Sequence, residues 1–374
     1  MSPVIFTHNH YQAEQLFPFS LTTSVEAISS GMLTNRRRWE LLVQHELPPA
    51  TGAGWIIPAN LLPSEEMVRW LRNLKNGSFL QLGDTGAVIG LSAGGSSFSG
   101  EPVAVLPDNA FRMIEFGWHI FEYNQYLLHF DFALLTKGRV SAPAGAGNYV
   151  AAPGNIFIEE GATVRFCSLN AEEGPIYISK EALVMEGTCI RGPVFIGANA
   201  VVKMGAKLYG GTTIGSHCTV GSEIKNSVLF PFSNKAHDGY LGDSVIGRWC
   251  NLGAGTSNSN LKNTAGNIKV TLPGGSYKTG IKCGVLMGDY SKTAINTSIN
   301  SGTVIGVCSN VFGAGLTPKL IPSFSWGYST QTIYEVEQAL EHIERWMQTK
   351  KQQISNEEKQ LITHIYNQTK TKRS

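Results

Sequence analysis

An α/β N-terminal domain, a parallel β-helix of hexapeptide repeats and a C-terminal helix make up the fold class predicted by three features of the sequence. First, an aliphatic residue recurs at every sixth position: Ile178, Val184, Ile190, Ile196, Val202, Leu208, Ile214, Val220. Small residues stand four positions after several of them (Ala200, Ala206, Thr212, Cys218), and Gly follows directly in Ile196-Gly197, Ile214-Gly215 and Val220-Gly221. Each six-residue unit then forms one short strand and one turn, with the aliphatic side chain inside a narrow prism. A helix would space such residues by three and four, and an ordinary strand by two. Second, residues 1–147 lack this period and mix helical with strand-like patterns. Third, the 374-residue chain holds 41 Gly and only 16% charged residues, which suits a turn-rich β architecture.

In the N-terminal domain (1–147), the stretch from Phe17 to Trp39 precedes apolar, Pro-containing residues around Trp55-Ile56-Ile57-Pro58. A helical pattern runs from Glu65 to Lys75, with Met67, Trp70, Leu71 and Leu74 on one face, and a strand is expected at Phe79 to Leu82. The Gly- and Ser-rich run from Val88 to Gly100 has the look of a phosphate-cradling loop. It lies in a stretch with no Lys or Arg between Lys75 and Arg112, which favours a plain flexible turn. Phe116 to Leu135 reads as a helix docking on this domain, and Ser141 to Gly147 as a linker.

The second domain (155–320) opens with the six-spaced pair Ile158 and Val164, after which the phase slips by two residues between Asn170 and Pro175. After Val220 the period breaks from Asn226 to Gly239 and resumes at Ile246 and Leu252. It breaks again from Asn258 to Ile281 and returns as Met287, Thr293, Ile299, Ile305 and Val311. Both breaks read as insertions, which in repeat proteins cluster on one face and form the binding face, and about seven coils of roughly 18 residues are expected. A left hand is expected from hexapeptide proteins in general; periodicity does not set it. The C-terminal segment (331–371) is predicted helical, with an apolar stripe of Ile333, Val336, Leu340, Ile343 and Met347 that packs on the prism or on a neighbour.

Composition narrows the function classes. A net charge of +2 indicates neither a nucleic-acid stripe nor an acidic tail. No apolar run reaches the roughly 18 residues of a membrane span, and the opening residues lack the pattern of a signal peptide, so the expected location is cytoplasmic with no membrane partner. Six cysteines without a CxxC pair or a His at zinc spacing read as reduced core thiols, and no metal site is expected from them.

Chemistry is concentrated where the coil breaks. Glu223, Lys225, Lys235, His237, Asp238, Tyr240 and Asn251 fall within two successive coils. An imidazole that titrates near neutrality can take a proton from an attacking amine or hydroxyl, and lysines suit a phosphate dianion. A surface-loop histidine beside a solvated lysine face is the alternative that residue types alone leave open.

The phrases GPVFIGANAVVKMGAKLYGGTTIG, NSVLFPFSNKAHDGYLGDSVIGRWCNLGAG, SNLKN, MGDYSKTAIN and PSFSWG carry a resemblance over about 155–327. The chain resembles the bifunctional UDP-N-acetylglucosamine pyrophosphorylase/glucosamine-1-phosphate N-acetyltransferase family, most closely a divergent bacterial branch with a shortened N-terminal domain. The resemblance implies a nucleotidyltransferase-like head, reduced in size, and a left-handed β-helix that transfers an acetyl group from acetyl-CoA to an amino-sugar 1-phosphate. It also implies a homotrimer with active sites between subunits. His237 matches the catalytic base and Glu223 its supporting carboxylate. Lys207 stands where the family usually has a phosphate-binding Arg, Lys225 matches a second phosphate ligand, Tyr240 and Asn251 match sugar-binding positions, and Asn260 a position near the acetyl group. Ala254 and Gly313 match positions that line the acetyl-CoA channel.

The head departs further from the family. The divergent branch has a pattern like LLPLTFTRPVAEIRVGILTIREKW, and the matching stretch here is LFPFSLTTSVEAISSGMLTNRRRW. Thr23 and Ser29 replace arginines of that pattern, Ser24 its Pro, and Arg37 an acidic residue. Losing two guanidinium groups weakens a site that must neutralise UTP and Mg2+, the metal being expected only if the head is active. Arg36, Arg37 and Arg38 cannot all face one way on a helix. Two further readings are a nucleotidyltransferase whose β-helix only assembles the trimer, and a non-catalytic nucleotide-sugar binding protein. Retention of Glu223, Lys225, His237, Tyr240 and Asn251 together argues against the last.

Overall fold

The structure, a computed structural model, describes residues 3–49, 54–92, 98–328 and 332–370. The chain divides into two compact units, one of 1–15, 23–29 and 33–116, the other of 16–22, 30–32 and 117–374.

The first unit is a mixed five-stranded sheet in the order Val4–Thr7, Gly54–Pro58, Ala87–Ser92, Phe79–Leu82, Ala104–Leu106. Two helices accompany it, α1 (Asn35–His45) and α2 (Glu65–Leu71), capped by the side chains of Thr34 and Ser64. The expected helix ends at Leu71 rather than Lys75, and Trp70 is 42% exposed instead of joining the stripe of Met67 and Leu71. Within the Gly- and Ser-rich run, residues 93–97 lie outside the described residues.

The second unit is a left-handed parallel β-helix whose three faces are stacks of two- and three-residue strands. The coil begins earlier than expected, because Tyr149–Ala151 already pairs with Ser168–Asn170. On one face Ile158, Ile178, Ile196, Ile214, Leu229, Ile246, Met287, Ile305 and Ile321 stack in register, each one coil above the last. These nine rungs correct the expected seven coils. Ile158 pairs with Ile178 where a regular coil would have brought Ile176, which locates the two-residue slip in the first step. The next two steps, to Ile196 and Ile214, are regular.

The two breaks differ in kind. Ile214 pairs with Leu229 where a regular coil would have brought Phe232, so the first break is a shortened coil and not an insertion. Its strand Glu223–Leu229 runs round a corner, as Tyr240–Ile246 does one coil later. The second break is a true insertion: Ile246 meets Met287, where a regular coil would have brought Thr264, and the extra chain includes the hairpin Lys269–Leu272/Gly275–Lys278.

Two of the three corners are covered. Helices α3 (His119–Glu122) and α4 (Asn124–Thr136) replace the single helix expected at Phe116 to Leu135. They belong to the β-helix and not to the first unit, because Asn124 donates to the Gly211 carbonyl (2.7 Å) and Thr213 Oγ1 (3.0 Å). The expected linker is also part of this unit: Ala142 N–H donates to Ile158 O at 2.8 Å, and Ala142 and Ala144 pack against the first coil. A second corner carries a left-handed residue in each coil (Glu181, Asn199, His217, Phe232, Trp249, Tyr290, Cys308, Phe324). Rings of His217, Phe232 and Trp249 stack along it at 4.6 and 4.3 Å.

The C-terminal segment forms two helices, α5 (Val336–Thr349) and α6 (Asn356–Lys370), where one was expected, and Ile333 lies before them in a bridge to Ser325. Val336, Ala339, Ile343 and Met347 bury one face of α5 against Trp249, Tyr290 and Phe324. The third corner carries exposed apolar side chains, Phe166, Met204 and Ile295. Among the described residues the cysteines are free, and no helix is long and apolar enough to cross a membrane.

Ile196 is completely buried in mid-prism, where a cavity has little room to collapse. Ile196→Ala is expected to destabilise the fold by about 2–5 kcal/mol, read as a shift of the denaturant midpoint at unchanged slope.

Candidate functional site

On one face of the prism the parallel register stacks outward residues into columns. Cys189, Lys207, Glu223 and Tyr240 follow one another in successive coils, about 4.8 Å apart. Alternation along the strands sends Ile190, Leu208, Ile224 and Leu241 inward beside them. Lys225 is outward again, two residues beyond Glu223, with Nζ 5.9 Å from the centre of the Tyr209 ring. Lys207 and Lys225 are exposed, and among the described residues neither ammonium has a carboxylate partner. Glu223 is half-buried and makes no hydrogen bond to His237.

Tyr240 ends in a part-buried polar network. Its ring lies over Gly242, where a Cβ would come within 2.3 Å of the hydroxyl and displace the ring. The hydroxyl accepts from Asn260 Nδ2 at 3.1 Å, and the same amide donates to Asp243 Oδ2 at 2.5 Å. Asp243 Oδ1 accepts from Asn226 Nδ2 at 2.7 Å. Burial, then the neighbouring Asp243 charge, pushes the Tyr240 hydroxyl above its ordinary pKa and keeps it a neutral donor. The start of the insertion thus supplies Asn260 to the face already holding the lysines.

His237 lies exposed at the edge of this face, on the third corner, in the turn between Asn234–Lys235 and Tyr240–Ile246. The turn is tied from below: Lys235 Nζ donates to His237 O (2.5 Å) and Asp238 O (2.8 Å), and Gly255 N also donates to Asp238 O (3.0 Å). Gly239, at φ +125°, has no room for a Cβ, which would meet Thr256 O at 2.1 Å. Ala254 sits on the same corner one coil on. Gly313 follows two coils later under the Tyr328 ring, where a Cβ would approach to 2.8 Å.

Lys207, Glu223, Lys225, Tyr240 and Asn260 therefore share one face, with His237, Ala254 and Gly313 along its edge. Asn251 is separate. It lies on the adjoining face, where its Oδ1 accepts from Asn234 Nδ2 at 3.4 Å. Sequence reasoning missed Asp243 and Asn226, both at corner positions with left-handed backbone. An acidic residue directly after Gly242 was the available signal.

In the first unit the arginine run points three ways. Arg36 bonds Glu26 Oε1 at 2.6 Å and lies over the Phe6 ring, Arg37 faces Glu40 on the surface, and Arg38 is buried against Asn35 Oδ1 and the Leu33 carbonyl. Burial pushes the Glu26 carboxyl up, but bonds from its own backbone, Ser24 and Arg36 outweigh this and hold it below the ordinary value. Among the described residues no three His, Cys, Asp or Glu side chains converge as metal ligands.

Residues 4–140 match the family model described as sugar nucleotidyl transferase. The bifunctional protein GlmU of Methanococcus maripaludis is 34% identical over 112 residues, 30% of this chain and 27% of the relative. The chain resembles the bifunctional GlmU family. A bifunctional sugar-1-phosphate nucleotidylyltransferase/acetyltransferase of Sulfurisphaera tokodaii is 36% identical over 91 residues, 24% of this chain and 23% of its own. The GlmU of Wigglesworthia glossinidia brevipalpis is 38% identical over 89 residues, 24% of this chain and 17% of the relative. The matched stretch thus spans about a quarter or less of the length of these relatives.

Removing the amide of Asn260 leaves the buried Asp243 with a single side-chain donor. Asn260→Ala is expected to lower stability by about 1–3 kcal/mol, measured by thermal unfolding against wild type.

Proposed function

We propose that the β-helix transfers an acetyl group from acetyl-CoA to the amine of an amino-sugar 1-phosphate resembling glucosamine-1-phosphate. The observation that carries this reading is the pair of exposed ammoniums of Lys207 and Lys225, without carboxylate partners among the described residues, on the face bordered by the exposed imidazole of His237. The lysines suit a phosphate, Tyr240 and Asn260 offer hydrogen-bonding groups to a sugar, and His237 takes the proton of the substrate ammonium. The freed amine attacks the thioester carbonyl; the C–N bond forms, the C–S bond breaks, and CoA leaves with a proton. Backbone N–H groups of the coil would stabilise the tetrahedral oxyanion. An acyl donor lying along the corner would pass Ala254 and Gly313. Lys207 in place of Arg keeps the charge but lacks the bidentate fork, which loosens phosphate geometry.

A homotrimer fits this reading. Its support is the exposed apolar corner of Phe166, Met204 and Ile295, together with the division of candidate residues across two faces. Asn251 turns away from Tyr240 of its own protomer, and a neighbour's adjoining face would supply it. Small-molecule substrates are the proposed partners, in a cytoplasmic setting with no nucleic acid or membrane.

Sugar-1-phosphate nucleotidyl transfer by the head is the second reading, favoured by the match of residues 4–140 to the sugar nucleotidyl transferase model. Mg2+ would enter only with UTP. Thr23 and Ser29 leave two matching positions without guanidinium groups, while Arg36 is engaged by Glu26 and Arg38 is buried. Uridylyl transfer is therefore expected to be weak or absent. Pyrophosphate release from UTP and N-acetylglucosamine-1-phosphate tests this, and robust turnover would overturn it.

The acetyl-transfer reading predicts that free CoA is produced with an amino-sugar phosphate, and that His237→Ala lowers kcat about 10²–10⁴-fold. An unchanged rate in His237→Ala would remove the mechanism.

A further inference from the structure

Lys235 occupies a position that should be aliphatic. On the adjoining face Val184, Val202, Val220 and Lys235 stack in one inward column, through the pairs Val184↔Val202, Val202↔Val220 and Val220↔Lys235. Leu252 continues the column, since Asn234 and Asn251 are paired beside it. The three valines are completely buried and so is Lys235, at 0% exposure. An ammonium inside an apolar prism is unfavourable unless hydrogen-bonded. Here its two acceptors are the carbonyls of His237 and Asp238, at 2.5 and 2.8 Å.

We infer that Lys235 is a positioning residue, an internal strut that fixes the backbone of the His237 turn so that the imidazole meets the substrate amine in one geometry. The inference rests on the acetyl-transfer reading for the role of His237. Two features support it beyond the contacts. Asp238 O accepts from both Lys235 and Gly255, binding the turn to the next coil. A Cβ on Gly239 would lie 3.0 Å from Lys235 Nζ, so the turn closes directly over the ammonium. Burial depresses the Lys235 pKa to about 8, partly offset by the Asp238 carboxylate, which leaves the ammonium mostly charged at pH 7.

Lys235→Met keeps the length and apolar stem while removing the charge and both donors. In the full-length protein at pH 7, the expected result has three parts. The thermal midpoint equals or exceeds wild type, because a buried charge is replaced by an apolar side chain. Hydrogen exchange accelerates locally, in peptides covering 236–241 and 253–256. The value of kcat for CoA release falls about 10–100-fold, with KM for the sugar phosphate little changed, as misplacement of a base predicts. Wild-type kcat together with wild-type exchange would overturn the inference, and so would exchange accelerated evenly along the prism, which would mark Lys235 as a general core residue. If the wild-type protein releases no CoA, the acetyl-transfer reading fails, and the exchange data still decide whether Lys235 holds the turn.

Discussion

Parallel register around an aliphatic column is the constraint on which the second unit depends. Each coil must send one apolar side chain inward on each face, and the inward column from Ile158 to Ile321 shows how strictly this is kept. Burial of one such side chain contributes roughly 1.5–3 kcal/mol, so a coil that slips its register forfeits several at once. Outward residues have no freedom of their own in this scheme. Once Leu208, Ile224 and Leu241 are stacked, Lys207, Glu223 and Tyr240 are stacked beside them. The spacing of the candidate site is thus set by the core and not by contacts among the site residues, which are few on that face.

Variation in length is confined to corners. Residues there can adopt left-handed backbone and are not obliged to fill the prism. The shortened coil and the hairpin insertion both change what a corner presents while the strands resume in register. The first trims the corner between Val220 and Glu223 just before the regular His237 turn, and the second begins with Asn260. A rigid prism with two edited corners is a sufficient way to gather a polar site on an apolar scaffold.

Legibility in the sequence follows from the same constraint. From Ile178 to Val220 every coil is made of three hexapeptides, so a count of six finds the core without error. Beyond Val220 the count leads to Asn226, Phe232 and Asp238, whereas the inward residues are Ile224, Leu229, Lys235, Leu241 and Ile246. A shortened step followed by another just below the regular length is invisible to a fixed period, and a lysine gives no hint that it is inside. The outward residues Lys207, Lys225, His237 and Tyr240 were legible through their polarity and through the ordered phrases around them. Asp243 was not, since a corner acid looks like any turn residue until its partners Asn226 and Asn260 are known. The α3–α4 segment is apolar on several sides, and such a pattern says that a helix is buried without saying against what.

The polar groups inside the prism are themselves informative, because the interior has so few. Near the His237 corner they are Lys235, Asn258, whose amide bonds the N–H and carbonyl of Gly242, and, farther along, Thr293 with Thr256, whose hydroxyls bond each other at 2.9 Å. A buried ammonium has an effective desolvation penalty of several kcal/mol, and apolar alternatives of equal length exist, so stability does not explain the choice. Its stem lies along the aliphatic column while the charged end reaches the corner, the same division that long cationic side chains adopt at other apolar boundaries. A nine-rung core can absorb one such loss. What the loss secures is local: two carbonyls of a short turn held by a charge that water does not reach, directly beneath the only imidazole on that edge of the prism among the described residues.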